Sequence, residues 1–355
     1  MCPSYMATRD ENNSTRARAN ILREFLTHSS KSNPFDHKEI YEIMDLCLSC
    51  KGCKAECPSN VDIAKYKAEF LQHYHVANGI PLRTRAIAHI ASLNKLGMIL
   101  PDVYNSLMKN KLFSKFLKAR LKFASERNLP LLAKTSLRRW AKRNTPKSEN
   151  PLGKVFLFAD EFTNYNDVEA GKAAIRLLAF LGYEVVIPKH TDSGRSFLSK
   201  GMLRKARSKA AKNVALLKHL ISESTPLIGI EPSAILTFRD EYPDLLRGEE
   251  KDDAIAIAKH ALMFDEFIMR EAEKGKITSS VFTDSEKHIF LHGHCHQKAL
   301  ASTGPTKAML SLPANYKVRE LKTGCCGMAG SFGYEQEHYE LSMKVGELVL
   351  FPEVR

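Results

Sequence analysis

From Cys47 the chain reads Cys-Leu-Ser-Cys-Lys-Gly-Cys-Lys-Ala-Glu-Cys57, followed by Pro58. This is C-x2-C-x2-C-x3-C-P, and it constrains the fold more than any other feature. Two-residue spacings let one tight turn aim three thiolates at neighbouring irons of a [4Fe–4S] cube, and the proline turns the chain away. Gly52 is expected to permit the close wrap. Structural zinc ordinarily uses two separated C-x2-C pairs without a third cysteine two residues on.

In two-cluster ferredoxins the fourth cysteine of such a run serves the other cluster. Cys47, Cys50 and Cys53 would then need a distant fourth thiolate. Cys2, also followed by proline, is the natural candidate. Cys57 would serve a second cube whose remaining ligands should precede Cys2, unless Cys57 itself closes the cube. Both cysteines stay in the ligand set, for one or two [4Fe–4S] clusters.

Three of the eight cysteines lie far away, in His292-Gly-His294-Cys295-His296 and Gly324-Cys325-Cys326-Gly327. Neighbouring cysteines in a glycine-rich turn pair poorly with each other, because a vicinal disulfide is strained. Cys295, Cys325 and Cys326 are therefore expected to hold a second cluster, with redox thiol chemistry at Cys325-Cys326 as the enzyme alternative. His294 and His296 are accessory ligand or proton-carrier candidates; the plainer reading makes them polar strand-end residues. Gly327, Gly330 and Gly333 suit a tight turn, but no strand leads into them as a dinucleotide loop requires.

No apolar run approaches the ~20 residues that cross a bilayer. The first residues lack a charged segment followed by an apolar one, so no signal peptide is expected. The reading is cytoplasmic, at most at the inner face of the membrane; there thiols stay reduced and clustered cysteines bind metal. The formal charge of +13 is local: residues 109–147 hold thirteen Lys or Arg and one acid, Glu126. Apolar residues recur there at helix-like intervals. A solvated helical face is the plain reading, and docking to an acidic partner or an anionic membrane surface is the functional one. Nucleic acid is not expected, since no binding motif accompanies the charge. A zinc-stabilised basic binding protein is the remaining alternative.

The first 145 or so residues read as helical: Asn20–Leu26, Lys38–Leu46, and a helix capped by Ser59 or Asn60 with Ile63, Tyr66, Phe70 and Tyr74 on one face. A polar linker spans 144–151. Strands follow at 154–159, 183–187 and 226–230, alternating with helices at 170–181 and 198–220. A further strand at 288–292 opens a second cycle, with a helix near 305–310. This alternation indicates α/β architecture with mainly parallel sheets, in two degenerate repeats.

The cysteine run, Glu231-Pro232-Ser233, His294-Cys295-His296 and Gly324-Cys325-Cys326-Gly327-Met-Ala-Gly330-Ser-Phe-Gly333 together resemble the iron–sulfur half of flavin-linked 2-hydroxyacid dehydrogenases of the D-lactate and D-2-hydroxyglutarate type. More distantly the chain is similar to iron–sulfur subunits of glycolate oxidase and anaerobic glycerol-3-phosphate dehydrogenase, and to the heterodisulfide reductase B subunit. Ser14-Thr-Arg-Ala-Arg-Ala19 also matches a family segment. The resemblance covers essentially the whole chain. It implies a helical ferredoxin-type domain at 1–145, a first cysteine-rich "CCG" repeat at 151–285 and a second, truncated against the family, at 286–355. It also implies passage of electrons from FAD, on a missing domain or a partner dehydrogenase, to a quinone or other acceptor. The first repeat departs from the pattern at Thr191-Asp192-Ser193-Gly194-Arg195 and at Ala234, where cysteines are common, so it is expected to hold no cluster. Both ends look trimmed against the family.

Overall fold

The computed structural model describes residues 1–146 and 149–355. Lys147 and Ser148, inside the expected linker and at the end of the basic stretch, lie outside the described residues.

Helices dominate the first 145 residues. Thr15–His28 starts where the Ser14 hydroxyl accepts from the Ala17 N–H, earlier than periodicity suggests. Lys38–Asp45 leads into the cysteine run. The next helix, Ile63–Asn78, is capped not by Ser59 or Asn60 but by Asp62, which accepts from the N–H groups of Ala64 and Lys65. Asn60 itself turns the chain, with φ +59°. The inward face also differs from expectation. Tyr66 is half exposed, and Lys67 is buried beside Ile63 and Phe70. Burial of Lys67 is offset by its bonds to the carbonyls of Asp45 and Cys47, at 3.1 and 2.7 Å. Seven further α-helices, Pro3–Thr8, Gly52–Glu56, Leu82–Ala88, Ile90–Gly97, Pro101–Lys109, Lys111–Leu121 and Leu137–Asn144, complete this region among the described residues.

Strands β1 (Gly153–Phe158), β2 (Tyr183–Val186), β3 (Leu227–Gly229) and β4 (Ala261–Met263) form a parallel sheet in the order β2-β1-β3-β4. Helices cover it, so β1 from Val155 onward reads as an apolar run, Val155 to Phe158, buried throughout. Three-residue β4 carries no alternation and was not legible. The helix expected over 198–220 is two, Arg195–Ser199 and Leu203–Leu217. Gly201 breaks it with φ +66°, and a Cβ there would sit 2.2 Å from the Leu71 Cβ. The break seats this unit against the Ile63–Asn78 helix.

Strands β5 (Lys287–Leu291) and β6 (Tyr316–Glu320) form a second, two-stranded parallel sheet. Helices Cys295–Leu300 and Gly304–Leu310 make the crossover. Beyond β6, an irregular loop carries Cys325 and Cys326 to the helix Tyr339–Glu347. The basic stretch is only partly a solvated face. Lys118 is buried on the Ser125 carbonyl, Arg127 reaches the Gly333 carbonyl, and Arg138 reaches that of Pro188. One apolar cluster gathers Leu48, Cys325, Phe332, Leu341 and Val345, with Cys50 and Cys295 against it. The two ends of the chain therefore meet.

Candidate metal centre

The first cysteine loop is built by residues other than the expected glycine. Ser49 and Lys51 take positive φ, +49° and +61°, whereas Gly52 simply begins the short helix Gly52–Glu56. Each left-handed residue costs roughly 1 kcal/mol or more. Lys51 has a compensation: its side chain is 1% exposed, and its ammonium lies 2.9 Å from Asp62, 2.6 Å from Asp240 and 3.1 Å from Glu241. Burial alone would lower its pKa, but these carboxylates outweigh burial and raise it. The loop is thereby clamped to the end of the helix Pro232–Asp240. Burial pushes the Cys50 thiol up to about 12, and the Gly52 N–H opposes this. Cys53 is raised by burial against the N–H groups of Ile63 and Lys54.

Cys2 is held in place despite its terminal position. Arg18, 1% exposed, donates to the Cys2 sulfur and the Ser4 hydroxyl, both at 3.1 Å, and to the Ile43 carbonyl at 3.2 Å. Burial raises the Cys2 thiol, but Arg18, Ser4 and the Tyr5 N–H together bring it below its usual value. The helix Pro3–Thr8 packs on Tyr339–Glu347. Charge on Cys47, Cys295 and Cys2 is felt at the Cys50 sulfur. Cys57 ends the Gly52–Glu56 helix, its N–H on the Cys53 carbonyl.

In the second set, the His294 ring accepts from the His296 N–H and caps the Cys295–Leu300 helix. Lys298 donates to the carbonyls of Thr323 and Gly324, and His292 bonds the Thr323 hydroxyl at 2.5 Å. These bonds hold the Cys325-Cys326 loop beside Cys295. Gly327 is required: φ is +83°, and a Cβ would lie 2.1 Å from the Ser342 carbonyl oxygen. Its N–H points to the Cys325 sulfur at 3.4 Å. Hydrogen bonding among the three thiols lowers Cys295, to about 7, and Cys326, while it raises Cys325.

The two sets, more than two hundred residues apart, share one place. His296 Nε2 lies 2.9 Å from the Ser49 carbonyl, inside the first loop. That carbonyl only accepts, so Nε2 carries the hydrogen; the Arg195 guanidinium at 3.3 Å is then a packed neighbour. Burial, then Arg195, hold His296 well below its usual pKa and hence neutral. The helix Cys295–Leu300 also packs against Gly52–Glu56.

The donor set fits an iron–sulfur cluster. Sulfurs are soft ligands, and backbone N–H groups point at several of them, the interactions that tune such clusters. Among the described residues no three thiols have all their sulfurs within 4.8 Å of one another. One tetrahedral zinc would require sulfurs ~4 Å apart, from a Zn–S length of ~2.3 Å. The compact group that does occur is Asp45, Glu337 and His338, but Arg83 pairs with Glu337 and Glu335 there, so it is an ion-pair network. At two positions where cysteines were looked for, Ser193 bonds the buried carboxylate of Glu161, and Ala234 is buried in the apolar core. Sequence reasoning missed Arg18, Lys51, Lys67 and Glu161, because nothing in their spacing marks them as buried.

Residues 1–62 match a family described as a 4Fe-4S dicluster domain. Along 98% of its length the chain is similar to the D-2-hydroxyglutarate dehydrogenase of Escherichia coli K12, at 26% identity. It spans only 37% of that relative. One of the subunits of the anaerobic glycerol-3-phosphate dehydrogenase of the same organism is 25% identical over 75% of this chain and 66% of its own length. A probable glycolate oxidase iron-sulfur subunit of Bacillus subtilis is 21% identical over 97% of this chain and 79% of its own. No solved structure matches the chain. The chain thus carries a segment, residues 1–62, that matches a 4Fe-4S dicluster domain, and it is similar in sequence to D-2-hydroxyglutarate dehydrogenases, to a subunit of anaerobic glycerol-3-phosphate dehydrogenase and to a probable glycolate oxidase iron-sulfur subunit.

Proposed function

We propose that this chain is the electron-transfer module of a flavin-linked 2-hydroxyacid dehydrogenase. It works in the cytoplasm and passes electrons from reduced FAD, on another domain or partner, toward a quinone or other acceptor. Cys47, Cys50, Cys53 and Cys2 would hold a [4Fe–4S] cube, and Cys295, Cys325 and Cys326 a second cluster. Such clusters supply one-electron carriers whose potentials follow hydrogen bonding and burial. Residues 1–145 would form the ferredoxin-type domain, with the repeats at 151–285 and 286–355.

The observation that carries this reading is the convergence of the two cysteine sets at Ser49 and His296. A lone structural ion needs no second set of thiols against the first, whereas a relay does. Around it the chain's own groups do identifiable work: apolar Leu48, Phe332, Leu341 and Val345 exclude water, Arg18 places positive charge beside Cys2 and Lys67 beside the first loop, and neutral His296 ties the two loops together without adding charge.

The test is anaerobic reconstitution. The wild-type chain should turn brown, bleach with dithionite, and hold about four irons at the first site. Cys50→Ser should remove most of that iron, since oxygen is a harder ligand than thiolate. Full iron and an unchanged reduced EPR signal in Cys50→Ser would sink the assignment. A colourless, zinc-loaded protein would favour the basic binding protein, and disulfide turnover without iron would favour thiol chemistry at Cys325-Cys326.

A further inference from the structure

Three consecutive helices, Ile90–Gly97, Pro101–Lys109 and Lys111–Leu121, leave apolar side chains unburied. Leu96, Ile99, Leu100, Val103, Leu112 and Phe116 each expose more than half of their surface, Leu112 as much as 82%. Leu112 and Phe116 stand four residues apart, one above the other on a single helix face. Asn94 in the first helix, Met98 just after it and Lys118 in the third are buried, whereas Pro101–Lys109 has no fully buried residue. Isolated surface leucines need no explanation, but so many within about twenty-five residues do.

The charge around them has one sign. From residue 93 to residue 120, Lys95, Lys109, Lys111, Lys115 and Arg120 are exposed cations, and Asp102 is the sole acid. Lysines dominate and the apolar groups are aliphatic with one Phe; Tyr and Trp, the usual anchors of protein–protein contacts, are missing from the exposed set, and lysine is depleted in such contacts. Leu and Phe seated among lysines are what the headgroup region of an anionic bilayer receives: apolar side chains enter the acyl boundary while the lysine stems reach back to phosphate. No helix among the described residues is long and apolar enough to cross a membrane.

We infer that this helical ledge, residues 93–120, seats the protein on an anionic lipid surface. The face is narrower than the basic stretch alone suggests and lies partly ahead of it. Lys118, Arg127 and Arg138 are occupied by internal carbonyls, whereas Leu96 to Val103 precede the stretch. The ledge is separate from the thiol centre, so lipid binding there does not depend on the electron-transfer reading.

The experiment is co-sedimentation of the reconstituted full chain with two kinds of vesicle, phosphatidylcholine alone and phosphatidylcholine containing phosphatidylglycerol. Binding to the anionic vesicles should be at least tenfold tighter than to the neutral ones and should weaken with added salt. The double variant Leu112→Ser/Phe116→Ser should lose at least tenfold in affinity with its circular dichroism and iron content unchanged. Lys111→Gln/Lys115→Gln should lessen the preference for anionic lipid. Absence of binding to anionic vesicles overturns the proposal, and so does binding that the Leu112/Phe116 variant leaves intact. A wild-type oligomer that this variant dissolves, without lipid binding, would assign the face to a second copy and also overturn it.

Discussion

Arg18 reaches three groups that no sequence pattern joins: the Cys2 sulfur, the Ser4 hydroxyl and the Ile43 carbonyl. Its replacement by Met should destabilise the fold by about 2 kcal/mol, since a hydrogen bond to a charged group contributes ~1.5–3 kcal/mol and the apolar Met retains part of the packing. It should also lower the reduction potential of the first cluster by tens of millivolts, because a nearby cation favours the more negative reduced form. Urea melts and redox titration read the two effects separately; an unchanged potential would remove Arg18 from the centre. The same contact bears on the fourth ligand. Cys2→Ser should destabilise the cube strongly, and Cys57→Ser should leave its spectrum nearly intact under identical reconstitution. The reverse pattern would make Cys57 the closing ligand. Spacing alone singles out Cys47, Cys50 and Cys53 as candidate ligands. It does not single out Arg18 and Lys67, because a basic residue on an amphipathic helix looks solvated until its burial is known.

At the scale of elements, the long, strongly patterned segments were legible: the helix Ile63–Asn78, the strands β1, β2, β5 and their parallel pairing. The misses have local causes. Asp62 wins the helix cap because Asn60 is still turning the chain, Gly201 divides a helix that periodicity would run through, and β4 is too short to show a period. The loop after β1 held a further surprise in Glu161, buried on Ser193. Burial first, and then neighbouring Asp160, push its carboxyl up to about 8. Its pKa in the folded state therefore lies above the unfolded value of ~4.3, so between these limits the folded protein binds the extra proton. Stability should then fall as pH rises from about 4.5 to about 8, by on the order of a few kcal/mol. Glu161→Gln should flatten this slope and be the more stable form at pH 8. Denaturant midpoints at pH 5 and pH 8 decide it; parallel slopes in the two proteins would contradict the buried, protonated state.

For the whole molecule, the sequence presented two cysteine groups at opposite ends and offered no reason to join them. The joining is a tertiary event, made by helix packing of Cys295–Leu300 on Gly52–Glu56 and by His296 on Ser49. On the reading proposed above it would bring two clusters into one relay, while removal of hydride from a hydroxyacid requires an organic cofactor. The purified chain should therefore show no dye-linked oxidation of D-lactate or D-2-hydroxyglutarate, and measurable turnover would contradict the division of labour. The most direct test of the central claim is the EPR spectrum of the dithionite-reduced, reconstituted chain. Two clusters at adjoining loops should give a broadened spectrum with magnetic interaction between them, and Cys295→Ser should collapse it to the simple signal of the Cys47–Cys50–Cys53 cube. A simple one-cluster spectrum in the wild type, unaltered by Cys295→Ser, would contradict a relay through the two cysteine sets.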